Sequence, residues 1–151
     1  MTDDLASRLA LMEDIEAIRR LKHHYCALCD ENYNAPALAA LFTEDGVWDA
    51  GEDYGRYAGR TAIENFFAGM PKAVSFSVHT ALNDIIDVKG DVAEGRWRAI
   101  IPATLRIDGR ETPYWLFSEY DDAFRKVDGE WRFTRLRSII HRSSPHMAGW
   151  V

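Results

Sequence analysis

The sequence predicts an α+β domain in which helices come first and a strongly curled antiparallel sheet then closes around an apolar pocket, as a cone. Three observations predict it. Apolar residues recur at helical spacing through the first third of the chain. From Val74 on, four long runs are separated by glycine-bearing turns at Lys89-Gly90-Asp91, Asp108-Gly109 and Asp128-Gly129. The chain is 151 residues with 47% hydrophobic residues, which fits one domain over residues 1–151 with a core that needs no staple.

Leu11, Ile15, Ile18, Tyr25 and Leu28 fall on one stripe, with Arg19, Arg20, Lys22 and His23 between them. This predicts an amphipathic helix from about Asp4 to Asp30. Asn34 can cap a second helix through Leu38, Leu41 and Phe42, with Pro36 tolerated in its first turn. Thr43–Gly46 reads as a turn and Val47–Asp49 as a short strand leaving it. Tyr54–Arg60 reads as a loop with at most a brief strand. Thr61-x-x-Glu64 has the form of a capping box, so a third helix is expected there, closed by Pro71. The later runs, about Val74–Val88, Val92–Ile107, Pro113–Val127 and Trp131–Arg142, are long for strands, so their sheet must twist and bend. The tail from Ser143 is expected to be irregular, with Trp150 docking as a lid or on a neighbouring subunit.

The formal net charge of −6 argues against non-specific nucleic-acid binding and against an anionic membrane surface. No run approaches the length of a membrane span, and Met1–Leu5 has neither a basic nor an apolar leader, so the cytoplasm is the expected location. Cys26 and Cys29 form a Cys-x-x-Cys, but late in a helix rather than at a helix start, where a thiolate is stabilised. They are read as small buried residues and not as a redox pair. No zinc set, phosphate loop or nucleophile elbow occurs, so neither metal nor cofactor is expected. His23 and His24, adjacent on a helix, point about 100° apart and do not make a ligand pair. The five Trp, six Tyr and seven Phe suit an ordinary core as well as an aromatic pocket.

Two residues invite a chemical reading. In the first long run Ser77, His79, Ala81, Asn83 and Ile85 share a face, which sets His79 between the small neighbours Ser77 and Ala81. Asp30 ends the long helix. A carboxylate beside an imidazole fixes its tautomer and steadies the imidazolium, so that the ring can take a proton. From pattern alone, His79 reads equally as a hydrogen-bonded core histidine and Asp30 as a helix-end carboxylate.

The segments Tyr25–Asp30 and Leu38–Trp48, Gly59-Arg60 before a helix, His79-x-x-x-Asn83 before Gly90-Asp91, and the closing Asp128–Phe133 together resemble SnoaL-like domains. These belong to the nuclear-transport-factor-two-like superfamily, and the branch resembled includes scytalone dehydratase, lindane dehydrochlorinase and bile-acid dehydratase. The resemblance runs from about Leu11 to Arg142. It implies a cystatin-like α+β barrel with a deep pocket, commonly assembled as a homodimer or homotrimer. It also implies a catalytic pair, Asp30 and His79, assisted by Tyr25 five residues before the acid. By family position and strand parity, Trp48, Phe67, Met70, Asn83, Trp97 and Ile101 are expected to bind substrate. A polar group that some members carry on the second long strand is absent from Ala99–Thr104, and Arg137 or Arg142 is a candidate for binding an anion. The expected function is a lyase or isomerase, dehydratase-like, acting on an apolar ring substrate such as a polyketide, steroid-like or aromatic metabolite. The alternative is a non-catalytic ligand-binding or accessory subunit, similar to the small subunit of ring-hydroxylating dioxygenases. Epoxide hydrolysis ranks last, because its acidic cluster is missing.

Overall fold

The structure is a computed structural model that describes residues 2–150. Helix α1 (Thr2–Asp30) leads to α2 (Ala35–Ala40), strand β1 (Phe42–Asp49), a single turn α3 (Gly51–Tyr54), β2 (Arg56–Ala58) and α4 (Arg60–Ala73). The remainder is β3 (Val74–Ser77), β4 (Thr80–Lys89), β5 (Val92–Ile107), β6 (Arg110–Val127) and β7 (Glu130–Pro145). One sheet runs β2-β1-β7-β6-β5-β3, with β4 also paired to β5. All pairs are antiparallel except β1 with β7. These two strands are far apart in sequence, so no hairpin dictates their direction. Among the described residues no helix is long and apolar enough to cross a membrane.

The turn chemistry is realised as expected. Asp108-Gly109 and Asp128-Gly129 both have positive φ at their two central residues (50° and 75°, 51° and 83°), the geometry that matches a hairpin to the twist of its strands. Asn34 caps α2 through a bond from the Ala37 N–H. The capping box is not used. Helix α4 starts at Arg60 behind Gly59, whose φ is 85°, and Arg60 Nε donates to the Phe42 carbonyl at 2.8 Å. Pro71 lies inside the last turn, and α4 runs on to Ala73.

Two departures from the expected single strand Val74–Val88 shape everything that follows. First, the run breaks at Val78-His79, where it passes Pro102 of β5. The Val78 N–H still donates to the Pro102 carbonyl at 3.0 Å, but proline has no N–H to return, and the ladder fails there. Second, Asn83 has φ 54° and sits in a bulge, because Leu82 and Ile85 pair with Arg98 and Arg96. The extra residue flips the side-chain alternation. Ala81, Asp84, Ile86 and Val88 turn inward, whereas Asn83 and Ile85 face solvent.

Helix α1 crosses the concave side of the sheet. Ile18, Tyr25, Leu28 and Cys29 enter the core, while Leu11, expected on the buried stripe, is exposed with Leu5, Leu9 and Met12 in the first turns. Polar contacts hold the helix down: Arg19 to Asp84 at 2.8 Å, Asp14 to Lys126 and to the Trp131 indole, and Lys22 to Asp122. Lys22 is not on the polar face as expected but fully buried.

The tail folds onto the outer face of the sheet. The Trp150 indole donates to Thr104 at 2.9 Å and packs on His146 and Trp115. Thr104 and Trp115 alternate with Ala103 and Leu116, which face inward, so Trp150 is not a lid over the interior. Trp150→Ala is therefore expected to cost about 1–3 kcal/mol in urea unfolding, from the lost ring burial. It should leave ligand affinity, measured by titration, unchanged.

Candidate active site

The end of α1 sets the acid. After Asp30 the chain reverses through Asn32 and Tyr33, both with positive φ (62° and 53°). A bulky residue in that region is strained, on the order of 1–3 kcal/mol, and is retained where packing fixes it. Here the reversal swings the Tyr33 ring inward, stacked on Phe67 and edge-on to His79 at 6.3 Å.

The strand break sets the base. At the break the His79 N–H donates to the Asp30 carboxylate, at 3.0 and 2.9 Å to its two oxygens. The imidazole Nδ1 lies 2.6 Å from Asp30 Oδ1, and the Ser77 hydroxyl donates to the same oxygen at 3.3 Å. The carboxylate thus collects three donors, and its bond to Nδ1 places the ring proton there, leaving Nε2 as an acceptor. The His79 side chain is 11% exposed and the Asp30 side chain 27%.

His79 lines a cavity of about 120 Å³ with Ser77, Tyr33, Tyr25 and Trp48 on one side, and Ile101, Leu116, Ser118, Tyr120, Ser138 and Ile140 on the sheet. Phe67 and Met70 of α4 also line it. The Trp48 indole donates to the Tyr25 hydroxyl at 3.0 Å, and that hydroxyl is also hydrogen-bonded to the Cys29 thiol. Burial pushes the phenols of Tyr25, Tyr33 and Tyr120 well up from their ordinary value, with a hydrogen bond from Trp48 opposing it at Tyr25 and one with Ser77 at Tyr33. All three are neutral donors at ordinary pH. Burial likewise pushes the Cys26 thiol up to about 11 and the Cys29 thiol well above its ordinary value, so neither is a reactive thiolate.

Of the residues expected from sequence, Tyr25, Trp48, Phe67, Met70, His79 and Ile101 line this cavity, and Asp30 contacts it through His79. Two do not. Asn83 is turned to the outer face by its own bulge. Trp97 does face inward but lies deeper, packed on Phe124 and beside Lys22, with the cavity beyond its reach. Arg137 and Arg142 are both exposed and line no part of the cavity. Tyr33, Ser118, Tyr120 and Ser138 are lining residues that pattern reading missed. Strand parity in Leu116, Ser118 and Tyr120 could have shown three of the positions on β6. Nothing local marks Tyr33. Among the described residues no group of three or more His, Cys, Asp or Glu is gathered as a metal site.

The profile of the SnoaL-like domain family matches residues 10–137, and the chain belongs to that family. Solved structures agree on the fold. A protein from Novosphingobium aromaticivorans with a provisional scytalone dehydratase assignment is 25% identical, with 97% of this chain and 92% of that one covered, and a TM-score of 0.80. A hexachlorocyclohexane dehydrochlorinase, LinA-type3 from Novosphingobium barchaimii, is 18% identical, with 95% and 97% covered and a TM-score of 0.84. A second Novosphingobium aromaticivorans protein, with a provisional aromatic ring hydroxylase assignment, is 24% identical, with 91% and 96% covered and a TM-score of 0.81. Structures of the superfamily are described as cystatin-like, as this cone of helices and curled sheet is. No curated protein matches the chain.

Proposed function

We propose that the protein is a cofactor-independent lyase or isomerase, dehydratase-like, in which His79 takes a proton from carbon in an apolar ring substrate. The observation that carries this reading is the 2.6 Å contact between Asp30 and His79 Nδ1 on the wall of a largely apolar cavity. Nε2 accepts the proton, and the C–H electron pair forms a double bond as the C–O bond to the leaving hydroxyl breaks. His79 passes the proton on to that oxygen, which the neutral Tyr25 phenol hydrogen-bonds, so one water leaves in total and the imidazole is restored. In the isomerase variant the proton returns to another carbon. General-base assistance contributes about 10²–10⁴-fold, and exclusion of water by Phe67, Met70 and Trp48 strengthens each polar contact around the reacting atoms. The provisional scytalone dehydratase relative supports a dehydratase-type reaction. An apolar protein cavity of ~150 Å³ takes up one benzene. The present cavity, at about 120 Å³, is of the order of one ring.

The test is incubation with monocyclic β-hydroxy ketones in deuterated water. Loss of water or deuterium uptake at the carbon beside the carbonyl, seen by mass spectrometry, is the expected result. Neither change across the panel would sink the proposal.

A second reading, a ligand-binding accessory subunit, draws on the lining from β5. Ile101, Ala103 and Leu105 offer the cavity no titratable group. Stoichiometric co-purification with a larger catalytic chain would favour it.

A further inference from the structure

We propose that the Ser118 hydroxyl is the recognition point for an oxygen on the ring, so that the site takes an oxygenated ring in preference to a hydrocarbon or halogenated one. This deepens the reading of the cavity as a ring-compound site and rests on it for the identity of the ligand, though not for the reaction.

Three buried side-chain polar atoms lack a partner among the described residues: Trp97 Nε1, Arg135 Nε and Ser118 Oγ. Arg135 is already engaged through its Nη2 with Asp121, and Trp97 lies below the cavity. Only Ser118 borders the cavity, and it is 5% exposed. Several other polar groups on the wall are engaged. Tyr25 is bonded by Trp48, Tyr33 by Ser77, and both Ser77 and His79 by Asp30. A buried hydroxyl without a partner is costly, and it is retained where something else completes it.

Its position defines what that something is. Ser118 lies on β6 opposite Ala99 of β5 and Ile140 of β7, among apolar neighbours. His79 lies at the β3–β4 break, on the other flank of β5. Two strand spacings separate them, about 10 Å across the sheet, shortened as both side chains reach inward on its concave face. One substituted ring spans that gap. Its acidic carbon then meets His79 while an oxygen on the remote side meets Ser118. The hydroxyl can donate to a carbonyl or accept from a ring hydroxyl. A chlorine or methyl in its place would leave Ser118 unpaired.

The test reads binding and not turnover. p-Cresol, toluene and 4-chlorotoluene are near-isosteric probes, titrated against the whole protein by tryptophan fluorescence. The wild type is expected to prefer p-cresol by about tenfold or more, the factor that one hydrogen bond to an otherwise unpaired group supplies. Ser118→Ala should bring the three affinities together by weakening p-cresol alone, and Ser118→Thr should keep the preference. Ser118→Cys, matched in size and poor as a donor, repeats the loss if the alanine variant folds badly. Equal affinities in the wild type, a preference that survives in both Ser118→Ala and Ser118→Cys, or no binding of any probe at millimolar concentration would each overturn the proposal. His79→Ala should retain the p-cresol preference. A preference that depends on Ser118, with no turnover of any ring compound, would therefore remove the catalytic reading and leave this one standing.

Discussion

Replacing His79 with alanine is expected to lower turnover of a dehydrated or isomerised substrate by about 10²–10⁴-fold, with KM little changed. The imidazole is the one group on the cavity wall with an open acceptor nitrogen, turned there by Asp30 at 2.6 Å from its other nitrogen. Asp30→Asn is predicted to be as severe, about 10⁴-fold, because the amide can present an N–H to Nδ1 and reverse the tautomer. It should also lower stability, since one amide oxygen cannot serve the His79 N–H, the Ser77 hydroxyl and the ring together. Near-normal turnover in the His79→Ala variant would remove the assignment of this residue as the base.

The largest stability effect is expected at Lys22 and Asp122. Their side chains are fully buried and 2.8 Å apart, and the ammonium rests 3.2 Å over the Tyr120 ring with Tyr25, Trp97 and Phe133 around it. The Arg137 N–H supplies Asp122 with a further donor. Lys22→Met leaves a buried carboxylate without its cation and should cost about 3–5 kcal/mol, a fall in Tm of roughly 6–20 °C for a chain of this size. The double variant with Asp122→Leu should recover part of that loss, which a double-mutant cycle in urea would measure. Burial pushes the Asp122 carboxyl up to about 6 from 3.8, with Lys22 and the Arg137 N–H opposing it. An acid whose folded pKa lies above its unfolded value is favoured protonated in the fold. Its contribution is therefore fully present below about 3.8 and is lost as pH rises through about 6. Subtracting the Asp122→Asn unfolding curve from the wild-type one should isolate this falling slope between pH 4 and 6. A flat difference would show that the carboxyl is not raised.

The pair also shows how far a sequence reading goes. Ile18, Lys22, Tyr25 and Cys29 are spaced by four, three and four residues, so helical period alone puts Lys22 on the buried stripe. Charge type argued otherwise, since a lone lysine is rarely buried. Its partner is 100 residues away, and no local signal pairs them. The same limit applied to the strand Val74–Val88. Alternation is a rule for an unbroken ladder, and it failed first beside Pro102 and then at the Asn83 bulge. Pro102 is visible in the sequence, but which strand it would interrupt is set by the register of β5.

The sequence by itself determined the order of helices and hairpins, the turn types and the curled-sheet class, and its motifs singled out Tyr25, Asp30 and His79 as candidates. Those features are written in short-range periodicity, in glycine and asparagine positions, and in local motif order. Only the tertiary structure decided that Asp30 and His79 touch, that Asn83 and Trp97 stand outside the cavity, that the tail covers the outer face, and that the polar wall comes from β6 and not β5. Each of these depends on register between segments distant in the chain, and a shift of one residue reverses which side of a strand faces the interior.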